Sequence, residues 1–471
     1  MSGRPQPGGL IRRSPRVGGP IPVYCELHVY GRRFTAGSGY LRPRAGEDAA
    51  GLTQDPHLVR VRGPAEVITP ADPSAPTGHR APPSDRRRRT AFGGALIAAF
   101  GGFASFNLLL SALPAYAVRS GAGPSGAGAL TATLMAATLA VQPFTPRLFT
   151  RLGRRRSLAV SGALLGLPCL ALPAASSLTA LNALAAVRGL GFGIFVVAGV
   201  TFTTELYPAA ERGRAIGWYG AVVGVAGVLG APLGIALARQ EAYALTFALA
   251  ASAAGLVVAG SFGFPRESAT ARPAAPRPPG GKRAPRGTWK SLRPMTGPLL
   301  VEIASTTAYG VVFTFLPLTA SAAPEALLAA QASSVLARLG AGWLIDRYGG
   351  RRVLVPAVLV TALGTAAGSA SHEPALLLAG AVLFGAGFGA VQSATLVLAM
   401  QAAGDSSAGL GLAGVAWNIA FDAGTGIGSL AGGPLLALGG PSALFVTTGA
   451  ALAALLIVPT ARGPGDPDVR A

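Results

Sequence analysis

Charge is what this sequence has least of. Only 12% of its 471 residues are Asp, Glu, Lys or Arg, against 51% hydrophobic; a soluble chain of this length carries about twice that share of charge. The charges are also segregated, leaving long stretches almost free of them. That excludes an ordinary soluble globular protein and describes helices that cross a membrane repeatedly. There are two cysteines, Cys25 and Cys169, far apart, so no disulfide framework holds the fold. There are four histidines, His28, His57, His79 and His372, all outside the apolar runs, which argues against a histidine base or a histidine–metal cluster inside a bilayer. No acid–base–nucleophile group is embedded in any run. The chain is therefore read as not an enzyme, with no metal and no cofactor.

What charge exists is basic: 39 Lys and Arg against 19 Asp and Glu, a net charge of +20. In a soluble protein this would point to nucleic acid. Here most arginines fall in the N-terminal tail or in loops on one side, and no aromatic–basic stripe accompanies them. No nucleic-acid partner is expected; the basic balance follows topology and attracts anionic lipid.

Along the chain, residues 1–88 form a basic Pro/Gly/Arg-rich tail expected to be disordered, with one brief strand over Val23 to Val29. The tail either has a function or lies upstream of the true start. Arg86 to Arg89 stop against the first apolar run. Six spans are predicted over 91–118, 125–149, 158–175, 178–206, 215–238 and 242–264, making an N-terminal six-helix bundle of residues 89–264. A basic linker, 265–296, follows. Six further spans over 297–321, 324–345, 353–370, 375–402, 408–435 and 441–459 make a C-terminal bundle, 297–460, before a polar tail, 461–471. Predicted loops on one side hold Arg151, Arg154, Arg155, Arg156, Arg212, Arg214, Arg347, Arg351 and Arg352; those on the other hold only Arg119 and Arg239. The bias places both termini in the cytoplasm.

The sharpest loop is Gly342-Trp343-Leu344-Ile345-Asp346-Arg347-Tyr348-Gly349-Gly350-Arg351-Arg352. Its glycines permit backbone angles that a side chain opposes, and Asp346 is expected to contact a neighbouring helix. A weaker copy runs from Pro146 to Arg156. Arg151 matches Arg347 and Gly153 matches Gly349 at one offset, and the same offset carries Gly189, Gly191 and Gly193 onto Gly385, Gly387 and Gly389. Two homologous halves follow, a repeat typical of secondary transporters.

On these motifs the chain resembles the major facilitator superfamily over about 91–460. The loop 342–352 looks like the family signature between helices two and three and between eight and nine. In the first copy Pro146 replaces the usual glycine and Thr150 the usual aspartate. Val187-Arg188-Gly189-Leu190-Gly191-Phe192-Gly193 is similar to the helix-four motif, whose arginine is linked to proton coupling. Gly227-Val228-Leu229-Gly230-Ala231-Pro232-Leu233-Gly234 is similar in part to the helix-five motif of exporters. The resemblance implies an all-α membrane fold of twelve helices in two bundles, rocking about a central cavity. It also implies that Asp346, Arg347, Gly349, Arg351, Arg151, Gly153 and Arg155 belong to gating loops.

Ionisable groups inside a membrane are costly and are retained for a role. Asp422, with Asn418 one turn earlier, is either a proton-coupling acid or a structural acid. Glu302, with Thr306 and Tyr309 near its face, either takes up a proton or cation or reaches to the interface. Arg188 either stabilises a carboxylate, binds an anionic substrate or holds helix ends. Arg338 either snorkels or pairs across the halves. Asn107 and Gln392 either face substrate or make packing hydrogen bonds. Gly220, Gly224, Gly227, Gly230 and Gly234 are read as close helix packing at the half interface, as are Gly424, Gly426 and Gly428. The reading is a monomeric, proton-coupled exporter of a small organic molecule in the cytoplasmic membrane. An importer of a small nutrient is the alternative within the fold, and a non-transporting membrane protein recruiting partners through its basic tail and linker is the alternative outside it.

Overall fold

In the computed structural model the described residues are 25–29, 32–37, 40–42, 85–175, 177–207, 209–265, 292–404 and 407–456. The chain separates into two units, Met1–Ala81 and Pro82–Ala471. In the first, β1 (Cys25–Val29), β2 (Arg32–Gly37) and β3 (Tyr40–Arg42) form an antiparallel sheet in that order. Cys25 lies opposite Ala36 and Val29 opposite Arg32, while Gly37 lies opposite Tyr40. Of the brief strand expected over Val23 to Val29, Cys25–Val29 is present as β1 and pairs with β2; residues 23–24 lie outside the described residues. The tail expected to be disordered over 1–88 instead contributes these three strands and, from Asp85, the start of the first long helix; its other residues, and 266–291 of the linker, lie outside the described residues.

The second unit is helical: α1 (Asp85–Arg119), α2 (Pro124–Val141), α3 (Thr145–Ala171), α4 (Leu178–Glu205), α5 (Ala209–Arg239), α6 (Tyr243–Ser261), α7 (Thr296–Thr319), α8 (Ala323–Tyr348), α9 (Gly350–Ala366), α10 (Pro374–Ala403) and α11 (Ser407–Ala454). Among the described residues, ten stretches are long and apolar enough to cross a membrane. Two are too long for one crossing: Pro124–Ala174 has 51 residues and Gly409–Ala454 has 46, whereas about 20 residues span a bilayer. Each breaks at a glycine with positive φ, Gly153 (φ 77°) and Gly440 (φ 70°). Ten stretches thus resolve into the twelve spans expected.

The spans pack as two six-helix halves. In the first, α1 lies against α5 and α6, and α3 against α4 and α6; in the second, α7 lies against α11, and α10 against α8 and α9. The halves meet where α2 lies against α11 and α5 against α8. The arginine-bearing turns around Gly153 and Gly349 lie at one end of the bundle, here called the basic end.

The repeat read from two loops extends to individual contacts. Gly153 and Gly349 both hold positive φ, 77° and 85°, at the equivalent turn. Gly189 and Gly193 sit on the backbone at Leu134 and Thr138, and Gly191 on that at Leu165. At the same offset, Gly385 and Gly389 sit on the backbone at Ala330 and Ser334, and Gly387 on that at Thr361. A side chain at any of these glycines would run into the neighbouring helix, so both halves use the same close approach to join their fourth helix to their second and third.

Candidate functional site

Two acids of the second half, Glu302 and Asp422, are buried. Glu302, on the first turns of α7, is fully buried. Its carboxylate accepts a hydrogen bond from Gln392 Nε2 and another from Thr395 Oγ1 at 2.7 Å, both on α10. Trp417 Nε1 on α11 donates to Thr395 Oγ1 at 3.0 Å, and the Arg338 guanidinium on α8 donates to Gln392 Oε1 at 3.3 Å. Arg338 is itself exposed. Four helices contribute to this cluster, and through Gln392 a chain of side chains from three of them links the buried carboxylate to an accessible guanidinium. Glu302 does not reach to the interface, and Arg338 pairs within its own half rather than across to the other. Thr306 lies beside the cluster but spends its hydroxyl on the Glu302 and Ile303 carbonyls.

The wall next to this cluster is aromatic. Tyr309 stacks on Phe313 and Phe388 with centroids 4.2 and 5.0 Å apart, and Phe421 lies 5.7 Å away. Trp417 continues the array 6.2 Å from Phe421. Tyr309 and Phe388 are buried; Trp417 and Phe421 are half-buried and form its accessible edge.

Asp422, 4% exposed, points the other way, across the halves. Its Oδ2 accepts from Gln142 Nε2 at 2.7 Å, where α2 passes into a 3-10 turn at Gln142–Phe144. Asn418 shares its face, yet donates to the Gly414 carbonyl one turn back and does not join it. A second cross-half amide contact lies between Gln331 Nε2 of α8 and Asn107 Oδ1 of α1, 3.4 Å apart. The α5 glycines leave room for this pair: a Cβ on Gly227 would be 2.9 Å from Gln331 Nε2, and one on Gly230 2.7 Å from Asn107 Cβ.

This corrects the single role expected of the α5 glycines. Gly224 and Gly227 face α8 across the halves, Gly230 and Gly234 face α1 within the first half, and Gly220 meets nothing within 4 Å. Pro232 lies inside α5 between the last two. On α11, Gly426 faces Met135 across the halves, while Gly424 and Gly428 press on α7.

Arg188 is 1% exposed and donates to two carbonyls, Nε to Leu165 at 3.3 Å and Nη2 to Ser105 at 3.2 Å. It ties α4 to α3 and α1 and has no carboxylate partner among the described residues. At the basic end, Arg155 lies 4.2 Å over the Phe262 ring and Arg347 over Trp343 and Tyr348. Arg154 pairs with Glu205 at 2.8 Å. Asp346 is exposed and makes no contact with a neighbouring helix among the described residues, contrary to expectation. Arg151 and Arg351 both have interaction partners.

At the opposite end, the two arginines that broke the charge bias are engaged. Arg239, closing α5, donates to the Ala320 and Ser321 carbonyls at the end of α7, across the halves. Arg119 pairs with Glu241 at 2.6 Å and lies 5.5 Å over the Tyr243 ring, clamping the turn in which Glu241 takes a positive φ of 58°.

Charge inspection of the sequence finds Glu302, Asp422, Arg188 and Arg338. It does not find Gln142, Gln331 or Thr395, and gives Trp417 no role. The only trace of the amides is a polar side chain interrupting an apolar run, and nothing in the run says which helix lies opposite.

Two six-helix halves meeting along a polar seam, with buried carboxylates near it, define a multi-pass membrane transporter. The sequence matches the profile of the Major Facilitator Superfamily over residues 95–340 and 299–470, and the chain belongs to that family. No curated protein sequence matches it. Among solved structures, it resembles the nucleoside transporter NupG in its D323A mutant, with a TM-score of 0.60 and 14% identity over 79% of this chain and 98% of that one. It also resembles a bacterial homologue of the human lysosomal transporter Spinster, in an inward-facing and unoccupied conformation, with a TM-score of 0.59 and 14% identity over 79% of this chain and 93% of that one. At this identity the likeness is one of fold.

Proposed function

We propose that the chain is a secondary transporter that couples proton entry to export of a small organic molecule by alternating access, working as a monomer in the cytoplasmic membrane with both termini inside. The observation that carries this reading is the bond set of Glu302, a buried carboxylate connected through Gln392 to the exposed Arg338. A carboxyl group out of water is costly as an anion and is retained where its charge changes during function. Trp417 and Phe421 offer an accessible aromatic edge beside it, suited to an amphipathic substrate. Asp422 and Gln142 join the halves, so loss of the Asp422 charge weakens a link between the moving parts. In the cycle, a proton from outside neutralises Glu302 or Asp422, substrate leaves outward, and the acid gives up the proton inside. Export rather than import is favoured by the α5 stretch Gly227 to Gly234, similar in part to the exporters' motif.

Proton flux in proteoliposomes, driven by a panel of chemically diverse compounds and measured in both gradient directions, tests this. Wild type is expected to exchange compound against protons, and Glu302→Gln to bind compound without moving protons. Cotransport of compound and proton in one direction would make the chain an importer. Normal coupling in both Glu302→Gln and Asp422→Asn would remove the acids from the mechanism.

A further inference from the structure

The second half carries a groove on the side of α7 turned away from Glu302. Helical spacing puts Ile303, Ala304, Thr307 and Val311 on that side, opposite Glu302, Thr306 and Tyr309. With Gly428, Ala431 and Gly432 of α11 as floor and Thr448, Ala451 and Leu452 beyond Gly440 as far wall, they enclose about 490 Å³, within the range of roughly 300–1,000 Å³ typical of ligand sites. Leu300, at its lower edge, is 55% exposed.

The lining is hydrocarbon and small residues apart from three threonines, and each of those spends its proton within its own helix. Thr307 donates to the Ile303 carbonyl at 2.8 Å, Thr447 to Ala443 at 2.5 Å and Thr448 to Leu444 at 2.7 Å. A polar molecule would find no free donor there. A saturated chain would lose nothing.

The groove is also a seam between two tightly joined pairs. On one side Gly310 and Gly428 let α7 and α11 touch at the Thr425 and Thr307 carbonyls; on the other, Gly449 lies on the Ala362 carbonyl of α9 and Phe445 covers Gly368. Among the described residues, no side chain fills the space between. In the 3-10 turn Arg293–Met295 that leads into α7, at the basic end and seven residues before Leu300, Arg293 is exposed.

We propose that this groove binds one acyl chain of an anionic phospholipid from the leaflet at the basic end, with its headgroup phosphate on Arg293. The hydrocarbon lining selects the chain. The cation, at the depth of the headgroups, selects the charge. The site is separate from Glu302 and does not depend on the direction or coupling of transport.

The test uses the full chain in vesicles of phosphatidylcholine with a small share of phosphatidylglycerol bearing a photoactivatable acyl chain, followed by peptide mass spectrometry. Labelling is expected over 300–311 and 447–455, several-fold above that around Leu167 and Leu170, two exposed apolar residues of α3 in the first half. Arg293→Gln is expected to remove the preference for phosphatidylglycerol over labelled phosphatidylcholine, and Ala304→Leu with Ala451→Leu to remove the groove label while the α3 label stays. Should the second variant fail to fold, the Arg293→Gln comparison still decides. Labelling no greater than on α3, or a headgroup preference unchanged in Arg293→Gln, would overturn the proposal. So would displacement of the label by a transported compound, which would assign the groove to the transport path.

Discussion

Glu302 is held in place by its neighbours' protons. Removing Thr395's hydroxyl takes away one donor and leaves the indole N–H of Trp417 without its acceptor. Thr395→Val is expected to lower stability by about 1–3 kcal/mol, the range for a buried donor or acceptor left unsatisfied, read as a lower unfolding midpoint in detergent, with Thr395→Ser close to wild type. Asp422 and Gln142 should behave as a unit: a double-mutant cycle with Asp422→Ala and Gln142→Ala is expected to show coupling on the order of 1 kcal/mol, as for polar pairs between membrane helices, and additivity would mean the bond carries no energy. Charged residues were legible here because each stands out in a run where charge is costly. Their partners were not: Gln142, Thr395 and Gln331 are neutral, tolerable in many settings, and acquire meaning only once helices distant in sequence are side by side.

For the helices, glycine position matters more than glycine number. Gly424 sits against Thr306 and the Ile303 carbonyl, so Gly424→Ala must push α11 off α7; overpacking of this kind costs about 1–3 kcal/mol, measurable as lost folded yield. Gly220 meets nothing within 4 Å, so Gly220→Ala is expected to be neutral or to stabilise by roughly 0.5–1 kcal/mol through helix propensity. If both substitutions behaved alike, close packing would not be what the α11 glycine serves. The sequence pattern showed that glycines recur on α5 at three- and four-residue spacing, but not that they divide between α8 and α1. A stripe fixes a face, not its neighbour. Span limits were legible because apolar runs end at arginines, prolines or glycines. The pairing of α2 with α11 was not, because membrane helices lack the amphipathic pattern that tells a soluble helix which side is inside.

Over the whole molecule, the halves are fastened at the end opposite the basic loops. Arg239 reaches the Ala320 and Ser321 carbonyls just past the C-terminus of α7, where the helix dipole is negative. Arg239→Ala is expected to open the seam from that end. The change is measurable as faster maleimide labelling of Ala132→Cys, at the α2–α11 contact, in a Cys25→Ser, Cys169→Ala background; an unchanged rate would show that the arginine does not hold the seam. The twofold repeat was readable from two loops and the glycines that share their offset. The role of Arg119 and Arg239 was not, since they registered only as exceptions to the charge bias of the loops.

Because the glycine contacts of one half recur at one offset in the other, each half keeps its own fourth helix in register without help from its twin. Continuity of the peptide chain is then a matter of supply rather than of architecture. Two genes, each encoding six helices, would deliver the same assembly, provided that the cell made them in equal number and in the same orientation.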